Sequence, residues 1–135
     1  MRVAVDTSVA VPLLLNSHDA HDRVILWAAD HDLVLSGHAV FETYAVLTRL
    51  PSGLRVRPDH AKKLIHSWFR DIVVFSGTDQ RTALDTLVQA GVYGGAVYDG
   101  LVGLAAKQAS LPLATRDGRA AANYERLGVD HFLVL

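Results

Sequence analysis

The chain opens on Met1-Arg2-Val3-Ala4-Val5-Asp6-Thr7-Ser8, a short apolar run that ends directly in a carboxylate. A run of small and β-branched residues reads as a buried strand. An acid at its end is costly to bury unless it is paired or bound to a cation. Leu113-Ala114-Thr115-Arg116-Asp117 repeats the pattern near the other end of the chain. Asp6 and Asp117 therefore stand at the carboxyl ends of two strands, on one edge of whatever sheet those strands build.

Working outward from these two stretches, residues 3–5, 33–35, 72–75, 113–114 and 132–134 read as strands. Amphipathic stretches alternate with them. Residues 22–29 place Val24, Trp27 and Ala28 on one face, and residues 39–50 place Val40, Tyr44, Ala45 and Leu47 on another. Residues 59–69 carry Ala61, Leu64, Ile65 and Trp68, with Asp59 as the expected N-cap after Pro58. A helix over 78–90 opens at Thr78 and closes at Gly91, and one over 119–127 ends at Gly128. Residues 97–109 are small and apolar, as a buried helix requires, and Ser8 is the expected cap of the helix after the first strand. Residues 51–58 read as a loop between helices.

This alternation predicts an α/β fold in three layers, a central parallel sheet of about five strands flanked by helices. The length suits a single domain over residues 1–135. In such sheets a ligand binds beyond the carboxyl ends of the strands, where the strand order reverses. Acids placed just after strands are the first candidates for chemistry.

Half of the 135 residues are hydrophobic and a fifth are charged, which excludes a disordered chain. There is no cysteine, which excludes disulfides, thiolate metal sites and thiol nucleophiles. The apolar stretch 9–15 is too short to span a bilayer, and no small-residue cleavage site follows it. The expectation is a soluble cytoplasmic protein with no membrane partner. Net charge is −1, yet Arg49, Arg55, Arg57, Lys62, Lys63 and Arg70 share one segment with a single acid, Asp59. Such a patch beside an acidic site suits phosphate, though a solvated surface explains it equally well.

Two further acids sit in apolar surroundings. Asp99 lies near the start of the helix at 97–109, after Gly94 and Gly95, where a carboxylate can serve simply as a cap. Glu42 lies among Val40, Phe41, Tyr44 and Ala45, where the plain alternative is an exposed glutamate. Singly each acid fits its plain role. Together, several carboxylates in one pocket require a counterion, and Mg²⁺ or Mn²⁺ is the natural partner of oxygen ligands. Such an ion activates water and stabilises charge on a phosphoryl group.

The combination Val5-Asp6-Thr7-Ser8, Phe41-Glu42, Tyr98-Asp99-Gly100-Leu101 and Thr115-Arg116-Asp117 resembles the PIN domain, in particular VapC-type toxins of toxin–antitoxin pairs. The resemblance covers essentially the whole chain. It implies a metal-dependent endoribonuclease with Asp6, Glu42, Asp99 and Asp117 as catalytic acids. Asp6, Asp99 and Asp117 would hold the metal, and Glu42 would hold a second ion or position the attacking water. Thr7 and Thr115 would support the site, and Arg116 would reach phosphate. It also implies an RNA substrate, a small antitoxin as partner and a homodimer, for which the helix faces around Tyr44 and Trp68 are the candidate surfaces. The pattern departs from the family after Asp117, where Gly118 and Arg119 stand in place of a further acid, with Asn123 later.

Other constellations are weaker. His18-Asp19-Ala20-His21-Asp22 has metal-like spacing but no third ligand. Gly91, Gly94 and Gly95 form no phosphate loop and read as a turn that delivers Asp99. Ser8, Ser36 and Ser110 lack a nucleophile elbow. Trp27, Phe41, Tyr44, Trp68 and Phe69 read as core or interface, with Trp68 and Phe69 a lesser candidate pair for stacking an RNA base. Two other functions compete: a phosphatase with Asp6 as nucleophile, which lacks its second acid at Ser8, and a non-catalytic RNA- or protein-binding α/β module, a degenerate PIN fold.

Overall fold

The computed structural model describes residues 1–74 and 79–135. At its centre is β1 (Arg2–Val5), paired on one side with β2 (Asp32–Ser36) and on the other with β4 (Leu113–Thr115). Beyond them lie β3 (Ile72–Val73) and β5 (His131–Leu133), so the sheet runs β3-β2-β1-β4-β5. Every pairing is parallel. Val3, Ala4 and Val5 are all fully buried. Successive strand residues face opposite sides, so burial of all three requires cover on both faces.

The helices provide that cover in two groups. α1 (Thr7–Leu14), α2 (His21–Ala28), α3 (Ala39–Thr48) and α4 (Pro58–Trp68) lead from β1 through β2 to β3 and pack on one another. α5 (Asp79–Gln89), α6 (Ala96–Gln108) and α7 (Gly118–Arg126) lead on to β4 and β5 and form a second packed group. The chain first builds outward from β1 on one side, then returns to build outward on the other. Its direction of growth therefore reverses between β1 and β4, and that is the switch point. The strands meet there through Val5 opposite Ala114, with Asp6 N donating to Ala114 O at 3.4 Å. Among the described residues no helix is long and apolar enough to cross a membrane.

Three expectations need correction. Asp6, not Ser8, is the N-cap of α1, because its carboxylate reaches the free N–H of Ser8. At α4 the cap is Arg57, and Pro58 takes the first helical position, where its fixed φ fits and its missing N–H costs nothing. The buried stripe of α3 is Ala39, Thr43 and Leu47, while Tyr44 and Phe41 are exposed. Phe75 and Thr78, expected in a strand and at a cap, lie outside the described residues.

α6 passes very close to α7 at Gly103. A Cβ there would lie 2.8 Å from Cδ1 of Tyr124, a fully buried ring. Gly103→Ala is therefore expected to lose about 1–3 kcal/mol in denaturant unfolding. Gly118→Ala, with nothing within 4 Å, is expected to stay within about 0.5 kcal/mol.

Candidate active site

Asp6 and Asp117 occupy equivalent places: each follows a strand at the switch point and caps the next helix. Asp117 Oδ1 accepts from Arg119 N at 2.9 Å, as Asp6 Oδ1 accepts from Ser8 N at 3.0 Å. Each carboxylate thus meets the positive end of a helix dipole. Asp99 arrives from α6. Its helix is capped by Gly95, so Asp99 is not the cap and sits one turn in. Gly94 makes the turn before it at φ +61°, a conformation that glycine adopts without strain. Glu42 comes from the first turn of α3 and accepts a hydrogen bond from Thr7 Oγ1 at 2.9 Å.

The four acids line one pocket of about 230 Å³, together with Thr7, Ser8, Val102 and Ala120. Asp6 is at its floor, only 5% exposed, and burial pushes its carboxyl above the usual range. Hydrogen bonds oppose that shift. Ser8 Oγ donates to Asp6 Oδ1 at 2.6 Å, and the Tyr124 hydroxyl donates to Oδ2 at 2.8 Å. Ser8 Oγ in turn accepts from Arg116 N at 2.7 Å. Thr115 Oγ1 stands 3.2 Å from Ser8 Oγ, within hydrogen-bond reach, and its side chain also eases the charge of Asp6 by a hydrogen bond. Thr115 Oγ1 also accepts from Asp117 N at 3.1 Å, so one chain of bonds ties both strand-end acids together.

Asp99 has its carboxyl raised to about 6, by burial first and then by the charges of Glu42, Asp117 and Asp6. A hydrogen bond from the Asn123 side chain eases it. Among the described residues none of the four acids forms an ion pair with a lysine or arginine. No three of them stand as a preformed ligand cage either. The set fits a hard divalent cation by its chemistry and charge: oxygen donors only, mutually repelling, and unpaired.

Of the supporting residues, Thr7 holds Glu42, and Thr115 joins the network. Arg116 contributes its backbone N–H, while its buried side-chain Nε has no partner among the described residues. Tyr124 was not visible in the sequence. It belongs to the amphipathic pattern of α7, and nothing in that spacing separates a core ring from one whose hydroxyl reaches an acid. Ser8, expected as a cap and as part of the Asp6-Thr7-Ser8 motif, proves to be a hydrogen-bond donor to Asp6.

The remaining candidates fall elsewhere. His18 Nδ1 accepts from Ala20 N, and His21 Nδ1 donates to Pro12 O, so both are bound to backbone. Phe69 is buried, and Trp68 sits beside Asp32 and Leu33 at the opposite, amino-terminal edge of the sheet. Neither can stack a base at the acidic pocket.

A parallel sheet with acids gathered at its switch point defines a class of protein already indicated by the motifs. The PIN-domain family model matches residues 3–126, and the chain belongs to that family. Among its relatives is Ribonuclease VapC27 of Mycobacterium tuberculosis, 47% identical over 94% of this chain and 93% of that protein. Ribonuclease VapC40 of the same organism is 39% identical over 98% of each chain. The structure of FitAB bound to an IR36 DNA fragment covers 98% of this chain and 94% of its own, at 25% identity and a TM-score of 0.74. VapC20 of Mycobacterium tuberculosis, a Sarcin-Ricin loop cleaving toxin, shares the fold at a TM-score of 0.65 and 20% identity.

Two measurements test this account of the site. Tyr124→Phe keeps the ring over Gly103 and removes only the donor to a buried carboxylate. It is expected to cost about 1.5–3 kcal/mol in urea unfolding. The second is stability against pH. The raised carboxyl of Asp99 keeps its proton in the folded state up to about pH 6, whereas the unfolded chain loses it near 3.8. The unfolded state binds fewer protons in that window, so the Asp99 contribution makes stability fall as pH rises through it. Asp99→Asn is expected to flatten that slope and raise the melting temperature at pH 7.

Proposed function

We propose that this chain is a Mg²⁺- or Mn²⁺-dependent endoribonuclease that cleaves RNA phosphodiester bonds, acting as the cytoplasmic toxin of a VapBC-type toxin–antitoxin pair. Residues 1–135 serve as one catalytic domain. A small antitoxin protein is the partner, and two copies associate as a homodimer. The carrying observation is the convergence of Asp6, Glu42, Asp99 and Asp117 on one pocket with, among the described residues, no lysine or arginine paired to them. The ribonuclease relatives support the choice of RNA, and the FitAB complex supports the paired setting.

In this reading Asp6, Asp99 and Asp117 hold the ion. A bound divalent ion supplies an activated water and stabilises charge on the phosphoryl oxygens. The chain's own residues do the rest. Glu42, fixed by Thr7 Oγ1, orients the attacking water and takes its proton at the carboxylate. Ser8 and Tyr124 fix the two oxygens of Asp6. Exposed basic residues between Arg49 and Arg70 draw in the RNA backbone.

The test uses a labelled mixed RNA pool with Mg²⁺ or Mn²⁺, with EDTA, and with Asp99→Asn and Asp6→Asn. Cleavage should require the ion and fall on the order of 10²-fold or more in each variant. Mn²⁺ should also raise the melting temperature of the wild type, and less so that of Asp99→Asn, because an ion that binds only the folded state stabilises it. Unchanged cleavage in both variants would refute the assignment.

A further inference from the structure

Beside the acidic pocket lies a second cavity of about 360 Å³, lined by Gly37, His38, Phe41, Val74, Gln80 and Leu101 among others. The two share walls. On α3, Phe41 lines this cavity and Glu42 lines the acidic pocket. On α6, Leu101 lines this cavity and Val102 the acidic pocket. Neighbouring residues on a helix diverge by about 100°, so one helix can present consecutive side chains to adjoining spaces. The cavities are therefore side by side, with the α3 and α6 backbones between them.

The rings at this position are turned to solvent. Phe41 is 72% exposed and Tyr98 56% exposed, and His38 is exposed as well. The His38 and Tyr98 rings pack together, with centroids 6.4 Å apart and planes tilted by 58°. Phe41 directly precedes Glu42, and Tyr98 directly precedes Asp99. Two of the four pocket acids thus carry an exposed ring on the preceding residue.

We infer that His38, Phe41 and Tyr98 form a nucleobase-stacking subsite that holds an unpaired base of the RNA next to the phosphate under attack; the inference rests on the nuclease reading above. A base in single-stranded RNA offers a flat face to an aromatic ring and a polar edge for hydrogen bonds. The cavity presents rings for the face and the Gln80 amide and His38 imidazole for the edge. Phe41 also lines the neighbouring groove between α3 and α4, with Tyr44, Asp59, Lys62 and His66. Lys62 there can meet a phosphate of a strand leaving the pocket across Phe41. A base must be out of a duplex stack to lie flat on a ring, so the substrate class such a subsite takes is single-stranded RNA or an unpaired loop.

The experiment measures steady-state cleavage of the mixed RNA pool in Mn²⁺ for Phe41→Ala, Phe41→Trp, Tyr98→Ala and Trp68→Ala, with calorimetric Mn²⁺ titration of each. Losing a stacked base costs about ten- to a hundredfold in affinity. Phe41→Ala and Tyr98→Ala should raise KM by that factor, leave kcat within a few fold and leave Mn²⁺ binding unchanged. Phe41→Trp, which retains a ring, should keep a KM near the wild-type value, as should Trp68→Ala at the far edge of the sheet. Wild-type KM in both alanine variants would overturn the subsite and leave the nuclease standing. So would an unchanged KM accompanied by a loss of self-association on sedimentation, which would make the rings a protein contact. Failure of the wild type to cleave any RNA in the pool would remove the nuclease reading and the subsite with it.

Discussion

The structure turns on a carboxylate that is nearly out of water. Asp6 sits at the end of the central strand, where the order of the sheet reverses, and is 5% exposed. Left alone there, its charge would be very costly. Its oxygens are met by the Ser8 N–H, the Ser8 hydroxyl and the Tyr124 hydroxyl. Each donor draws in another part of the fold. Ser8 and its N–H belong to the first turn of α1, so capping that helix and solvating the acid are one act. Tyr124 brings α7 over the sheet, and it can do so only because Gly103 leaves room on α6. Arg116 N and Thr115 Oγ1 add the end of β4. The position of one charge thereby fixes how three helices and two strands meet.

The same arrangement carries a conflict between stability and use. Four carboxylates in one pocket repel one another, and the raised carboxyl of Asp99 is the visible result. Helix N-termini at Asp6 and Asp117 and the amide of Asn123 relieve part of the repulsion, but no cationic side chain among the described residues completes the task. A protein selected only for stability would place a lysine or arginine there. With no cationic partner among the described residues, removing one of the acids should favour folding.

Much of this was legible in the sequence, because strand-end acids and alternating elements are local patterns. Asp6 and Asp117 announced their strands, and the parallel sheet followed from the alternation. What failed required knowledge of three dimensions. Ser8 reads as a cap from its residue type, but Asp6, two residues earlier, stands just before the helix and its carboxylate takes the free Ser8 N–H. Tyr44 was assigned to the buried face of α3 on apolar character. The helix instead buries Thr43, and no periodicity count would choose a hydroxyl over a ring. The lesser alternative for Trp68, stacking an RNA base beside two lysines, fails because α4 carries it to the amino-terminal edge of the sheet, beside Asp32 and Leu33. Tyr124 was the most consequential omission, since its role depends on a partner 118 residues away.

The walls of the pocket suggest how one fold can keep its chemistry while changing what it acts upon. An acid on a helix fixes its own direction, and the residue before it then points about 100° away. At Phe41-Glu42 and Tyr98-Asp99 that neighbour is a large exposed ring, free of any duty in the core. Replacing it alters the surface beside the acids without moving their backbone. The hydrogen bonds that hold the acids come from other residues, Thr7 for Glu42 and the Ser8–Tyr124 network for Asp6. Positioning of the charges and shaping of the adjoining cavity therefore rest on separate sets of side chains. Side chains of the second set can thus change without disturbing the hydrogen bonds of the first.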